Sequence, residues 1–175
     1  MKGLALAAAL CSGMALSAPV LDFNSTTPSW SVLNDTVMGG VSSSQVRINA
    51  GVLEFTGQVR LENNGGFAGV RSSPGRYDLS GFSALKLRVK GDGKRYMFQL
   101  GTSARNGMTY RTEFETVAGQ WTTVTLPLDS LRPTRFGQRL AGPTLDASNV
   151  VFFGFMIGNS RAERFALQVD WIEGQ

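Results

Sequence analysis

Histidine is missing from this chain of 175 residues, and cysteine appears once, at Cys11. Without histidine there is no Ser-His-Asp or Cys-His nucleophile and no His-ligated metal. No GxxxxGK[ST] loop occurs, and no GxGxxG opens a helix, so no motif cradles phosphate. No run of five or six like charges occurs either. The 13 arginines are scattered from Arg47 to Arg164 and the formal net charge is +4, which argues against nucleic acid as the partner. No later segment has the unbroken apolar length of a membrane span.

The lone cysteine falls in a segment expected to leave the mature protein. Lys2, the apolar run Leu4 to Leu10 and the small residues after it have the layout of a secretory signal peptide. Ala15 and Ser17 fit the small-residue rule for cleavage before Ala18. A lipoprotein reading of Cys11 is weaker, because Leu10 is bulky where a small residue is required. Removing residues 1–17 from 175 leaves one domain, 18–175, with no Cys and no His. A domain of that size buries roughly 70% of its unfolded surface and needs no disulfide. Lack of a thiol suits an oxidising compartment, so the expected location is periplasmic or secreted.

What is abundant is glycine, with 21 residues, between short runs of Val, Phe, Thr and Leu. The pattern predicts strands at 43–48, 52–60, 66–72, 84–90, 95–102, 109–116, 122–127, 150–157 and 165–172. Asn49-Ala50-Gly51 predicts a tight hairpin, and so does Gly91-Asp92-Gly93. In ALKLRVK, Leu85, Leu87 and Val89 face one way and Lys86, Arg88 and Lys90 the other. Tyr96, Phe98 and Leu100 share a face, as do Tyr110, Thr112 and Phe114. Phe165, Leu167, Val169 and Trp171 are expected on one face. VVFFGFMIG is apolar on both faces and predicts a central, covered strand. Helix signals are poor: one turn at 129–132, stopped by Pro133. The stretch 128–149 reads as a functional loop or a crossover. One all-β sandwich of jelly-roll type is the economical answer.

The heptapeptide Asn34 to Gly40, NDTVMGG, has no histidine, no cysteine and no lysine, so it does not look like a reaction centre. Asn34 and Asp35 are expected to bond their own backbone two residues on, and Gly39 and Gly40 to allow positive φ or close backbone approach. Val37 and Met38 are expected to plug one end of the core. Trp30 forms a lid whose N–H needs a partner. Carboxylate chemistry has two candidates. Glu113 and Glu115 stand two apart on one strand face, near the separation glycosidases use, but such pairs normally face each other across a cleft. Asp22 and Asp170 would meet if the termini meet, yet two carboxylates are too few for Ca²⁺. A cap and a salt-bridge partner are the simpler roles.

WSVLNDTVMGGVSSSQ at 30–45 resembles the signature of the complex I intermediate-associated protein 30 family. The likeness continues in order through FTGQV (55–59), NNGGFAGVRS (63–72), GDGKRYMFQLGTS (91–103), GQWTTVTLPLDSL (119–131), PTRFGQRL (133–140), SNVVFFGFMIGN (148–159) and FALQVDWI (165–172). It spans nearly the whole of 18–175. The resemblance implies a galactose-binding-like β-sandwich and, for mitochondrial members, a role in assembling respiratory complex I. That role is not carried over to a chain with a secretory start. Glu163-Arg164 before Phe165 also departs from the Gly-Pro frequent in the family.

The first functional reading is a non-catalytic binding or assembly module for a protein partner in the cell envelope, with no metal and no cofactor. Its surface joins Trp30, Asn34, Asp35, Met38, Gly39 and Gly40 to Gly66, Phe67 and Arg71, with Arg95, Tyr96 and Arg111 nearby. Arginines would grip carboxylates and apolar groups would anchor. The loop's competing role is to anchor the fold. The alternative is a carbohydrate-binding module using Tyr110, Arg111, Gln99 and Arg88, although Tyr110 and Arg111 point to opposite faces of one strand. An enzyme stands third, with no paired constellation that asks for it.

Overall fold

The computed structural model describes residues 17–24, 27–102 and 108–175. The expected signal segment therefore lies outside the described residues, apart from Ser17. Thirteen strands follow in chain order: β1 (Ala18–Leu21), β2 (Trp30–Val32), β3 (Ser43–Asn49), β4 (Val52–Val59), β5 (Ala68–Ser72), β6 (Ala84–Lys90), β7 (Arg95–Thr102), β8 (Met108–Glu115), β9 (Trp121–Pro127), β10 (Arg132–Arg135), β11 (Gln138–Arg139), β12 (Val150–Ile157) and β13 (Glu163–Gly174). All nine expected strands are present, within two or three residues at their ends. Among the described residues no helix is long and apolar enough to cross a membrane.

The strands form two antiparallel sheets. One has the order β3-β4-β13-β6-β9, with β1 also on β13; the other runs β11-β10-β8-β7-β12-β5-β2. Period-two alternation puts one row of each strand inside. Leu53, Phe55, Leu85, Leu87, Val89, Leu167 and Val169 of the first sheet meet Val70, Tyr96, Phe98, Leu100, Phe153 and Phe155 of the second, all without solvent exposure. Aromatic rings knit the layer: Phe98 lies 5.6 Å from Phe155, and Phe55 4.7 Å from Phe165. β12 is central as expected, flanked by β7 and β5, but only its inner row is covered by the other sheet; Phe152 and Gly154 look outward.

Several details differ from the sequence reading. Ala50 and Gly51 do close the β3–β4 hairpin, at φ of 47° and 76°. Gly91-Asp92-Gly93 is not a hairpin: it carries the chain from β6 in one sheet to β7 in the other. Asp92 fixes that crossing, accepting from Tyr96 Oη (2.9 Å), Lys94 Nζ (2.7 Å) and Ala166 N (3.1 Å). Trp171 leaves the face of Phe165, Leu167 and Val169, because a bulge between Val169 and Trp171 turns Ile172 inward instead. The stretch 128–149 is the crossover from β9 to the other sheet, and it contains β10, β11 and two short 3-10 turns. The termini meet, with Ala18 opposite Gly174. Asp170 there pairs with Arg88 at 3.0 Å, while Asp22 accepts from Asn24 N at 3.1 Å.

Candidate functional site

The NDTVMGG loop is built around a buried charge. Asp35 has no solvent exposure. Its Oδ2 accepts from Ser42 Oγ at 2.5 Å, Gly66 N at 2.7 Å and Phe67 N at 3.3 Å, and its Oδ1 accepts from Ser42 N at 3.0 Å. Burial pushes the carboxyl's pKa up, but these donors outweigh it and hold the group below its ordinary value. The partners of Asp35 are distant in sequence, not the local amides expected of an Asx turn. Asn34 also reaches away, accepting from Ser44 Oγ at 2.6 Å.

Val37 and Met38 are not plugs. They stand 67% and 68% exposed on the 3-10 turn Asp35–Met38, and the carboxylate of Asp35 fills the place expected of them. Trp30 packs between Phe23 and Phe155 as a lid should, yet its Nε1 is buried without an acceptor among the described residues. Tyr96 is wholly buried and belongs to the core, not to a binding surface. Its inward register beside Phe114 and Phe165 put it there. The expected surface thus divides. Asn34, Asp35, Gly40 and Gly66 are anchor; Met38 and Gly39 are tip; Phe67 is half-buried beside them. Arg71, Arg95 and Arg111 belong to a different face.

That face is the outer side of the seven-stranded sheet. Strand pairing aligns one row across six strands: Arg132 of β10, Arg111 of β8, Gln99 of β7, Gly154 of β12, Arg71 of β5 and Ser31 of β2. Two glycines let side chains lie flat on the sheet. A Cβ on Gly154 would fall 2.5 Å from Gln99 Nε2, and one on Gly101 would fall 1.8 Å from a ring carbon of Phe152. The Arg71 guanidinium covers that ring at 4.9 Å from its centroid.

Two members of the row each keep an atom without a partner among the described residues. Gln99 is 2% exposed with Oε1 unbonded, and Arg111, directly opposite, has Nε buried and unbonded. Burial presses the Arg111 guanidinium's pKa down, and no carboxylate pairs with it among the described residues. Arg111 opens onto a groove of about 480 Å³ walled also by Met97, Glu113, Arg132, Thr134 and Arg139. The β10–β11 hairpin forms one wall. At its tip Phe136, 86% exposed at φ 48°, projects beside Gly137. Phe136 was not singled out from the sequence, where its signal was an aromatic inside a Gly- and Arg-rich loop. Glu113 and Glu115 do not form a reacting pair: Arg95 holds both, at 3.3 and 3.4 Å. A larger hollow, about 730 Å³, lies by Leu128, Pro133 and Leu145. It is walled mainly by loop segments and apolar side chains and gathers few polar groups.

For the carbohydrate alternative, Arg111 and Gln99 are neighbours on this face. Tyr110 faces the core, and Arg88 lies on the other sheet, so neither joins them. Among the described residues no three His, Cys, Asp or Glu side chains gather as metal ligands.

Residues 21–169 match the family model described as complex I intermediate-associated protein 30. No curated protein matches the chain. Among solved structures it is similar to the family 11 carbohydrate-binding module of the cellulosomal cellulase Lic26A-Cel5E of Clostridium thermocellum, at TM-score 0.67 and 20% identity, covering 91% of this chain and 95% of that one. A family 11 module from the same organism, in complex with a β-1,3-1,4-mixed-linked tetrasaccharide, gives TM-score 0.65 and 19% identity over 90% and 94%. The agarase AgWH50C gives 0.61 and 13% identity over 91% of this chain and 24% of that one. At these identities the likeness is one of fold.

Proposed function

This chain belongs to the complex I intermediate-associated protein 30 family, and from that premise we propose that it is a non-catalytic carbohydrate-binding module acting in the cell envelope or outside the cell. The ligand lies on the outer face of the seven-stranded sheet. One observation carries the reading: Arg111, which lines an open groove and pairs across the strands with the buried Gln99, keeps its Nε without a partner among the described residues, as Gln99 keeps its Oε1. Unmet buried polar groups are costly in a structural surface, and a ligand that supplies their partners recovers that cost. Phe136 gives an exposed ring face for a sugar to stack on, and Arg132 and Thr134 give polar contacts to fix hydroxyls. A structure of the same fold held with a tetrasaccharide supports the reading. The expected secretory start supports the location.

The test is a screen of soluble polysaccharides against the full chain by affinity electrophoresis and calorimetry. At least one glycan should bind at submillimolar concentration, and Phe136→Ala should weaken it while the fold is unchanged. No glycan bound at millimolar concentration would remove the reading.

A protein partner is the second reading, favoured by the exposure of Val37 and Met38 on a loop held rigid by Asp35. A partner retained from an envelope extract by the wild type and released by Met38→Asp would support it. Retention by that folded variant would exclude this loop.

A further inference from the structure

The groove has a charge that a neutral sugar does not answer. Arg111, Arg132 and Arg139 wall it, and Glu113 is its single carboxylate. Glu113 is already held by Arg95 at 3.3 Å. Arg71 continues the same cross-strand row, over Phe152. None of Arg71, Arg111, Arg132 and Arg139 has a salt-bridge partner among the described residues, whereas Arg95, on the same face, is held by Glu113 and Glu115. Arg76, Arg161 and Arg164 also lack a bridge but stand apart from the groove, so what marks this face is that three unbridged arginines wall one groove.

Their spacing is set by the sheet. Arg132 and Arg111 are one strand step apart, about 4.8 Å, and Arg111 and Arg71 are three steps apart, about 14 Å. One step is close to the repeat of a sugar in an extended glycan, so a short oligosaccharide laid across the strands would bring successive substituents over successive arginines. A guanidinium presents paired N–H donors that match the two oxygens of a carboxylate, and it binds a sulfate in the same way. Arg111 is the least hydrated of the four, half-buried where the others are exposed, with Nε enclosed and unbonded among the described residues. A desolvated cation without a counter-ion is unfavourable in the free protein and gains most when an anion arrives.

We propose that the ligand of this face is an anionic glycan, its oxyanions borne on the sugars and gripped by Arg111, Arg132 and Arg71 across the strands. This rests on the carbohydrate-binding reading above and narrows it. Phe136 at the hairpin tip closes over a sugar ring while the arginines take the charges. The chain excludes neutral glucans by leaving Arg111 unpaired when they bind.

Calorimetry on the full chain at physiological salt, with defined oligosaccharides, tests the proposal. The probes are a hexagalacturonate, its carboxyl-reduced neutral counterpart, a sulfated oligosaccharide, a β-1,3-1,4-glucan oligosaccharide and hexaglutamate. Expected is binding of the uronate or the sulfated probe, the two arms naming which oxyanion is preferred. The carboxyl-reduced form should bind at least about tenfold more weakly, as loss of a bidentate ion pair implies. Arg111→Lys keeps the charge but not the fork, and should also lose about tenfold. Arg88→Gln, on the other sheet, should change nothing. Equal binding of the neutral and anionic forms would overturn the proposal and leave a carbohydrate module standing. Equal binding of hexaglutamate would overturn it in favour of a general acidic-partner surface. No binding of any glycan by the folded chain would overturn both readings.

Discussion

Gly40 stands so close to Asp35 that a Cβ on it would come within 2.4 Å of the carboxyl carbon. The second glycine of NDTVMGG is thus a contact residue: it leaves room for the buried carboxylate. Gly39 beside it differs in kind. It sits at φ 91° with open space around it, closing the 3-10 turn. Gly40→Ala should therefore displace Asp35 from its donors and lower stability by about 2–3 kcal/mol. Gly39→Asn, which suits the left-handed region, should cost well under 1 kcal/mol. Urea denaturation of the two variants checks the contrast, and equal losses would contradict it.

Asp35 also makes stability depend on pH in a defined direction. Its carboxyl has a lower pKa folded than unfolded, because Ser42, Gly66 and Phe67 donate to the charged form more than burial opposes it. The stabilisation is complete above the unfolded value of about 4. It is lost as pH falls through the lower folded value, when the native state must take up the proton. Asp35→Asn sets an amide N–H₂ against backbone donors and should cost about 3 kcal/mol at pH 7. The difference between wild type and Asp35→Asn should shrink as pH falls below about 4. A difference that stays constant from pH 7 to pH 3 would show that the carboxylate's charge is not what those donors hold.

Met38→Asp should leave stability within about 0.5 kcal/mol of wild type, and Val37→Asp likewise, because both side chains project into solvent. A loss of several kcal/mol from either would restore the plug expected from hydropathy.

The strands were legible because alternation in stretches such as Ala84–Lys90 leaves one face for the core. Missed strands had reasons. Arg132-Pro133-Thr134-Arg135 reads as loop, yet β10 tolerates Pro133 near the sheet's rim, paired only with β8 and the two-residue β11. NDTVMGG misled because hydropathy assigns its apolar residues inward. Nothing local reveals that Gly66 and Phe67, more than thirty residues on, bring the donors that let a carboxylate take the inner place. The row from Arg132 to Ser31 follows from register across six strands, which composition does not encode. Only the Gln99–Arg111 part, joined by the β7–β8 connection, lay within reach of sequence reasoning.

Tyr96 offers a check on the separation of core from site. Its hydroxyl donates to Asp92 at 2.9 Å, and burial, followed by the nearby Asp92 charge, pushes its pKa well above the ordinary phenol value. Tyr96→Phe should cost about 1–2 kcal/mol by leaving Asp92 one donor short. It should leave ligand affinity on the outer face unchanged. An affinity loss without a stability loss would return Tyr96 to the binding surface.

Arg111 should trade stability against binding. In the free protein its guanidinium is partly desolvated, and among the described residues it has no carboxylate partner and its Nε no acceptor. Met fills much of the same volume without charge, and replacing an uncompensated buried cation by an apolar side chain removes a desolvation penalty. Arg111→Met should therefore raise stability by about 1 kcal/mol, a rise in Tm of about 2–4 °C for a chain of this length. The same change should weaken the ligand of the outer face by about tenfold or more, because it deletes the central fork of the row. Such opposition is the signature of a residue kept for a ligand at the expense of the fold. Thermal unfolding and calorimetry on the same sample read both quantities. A lowered Tm would mean that Arg111 serves the sheet itself, and the search for the ligand should then move to the tip at Val37 and Met38.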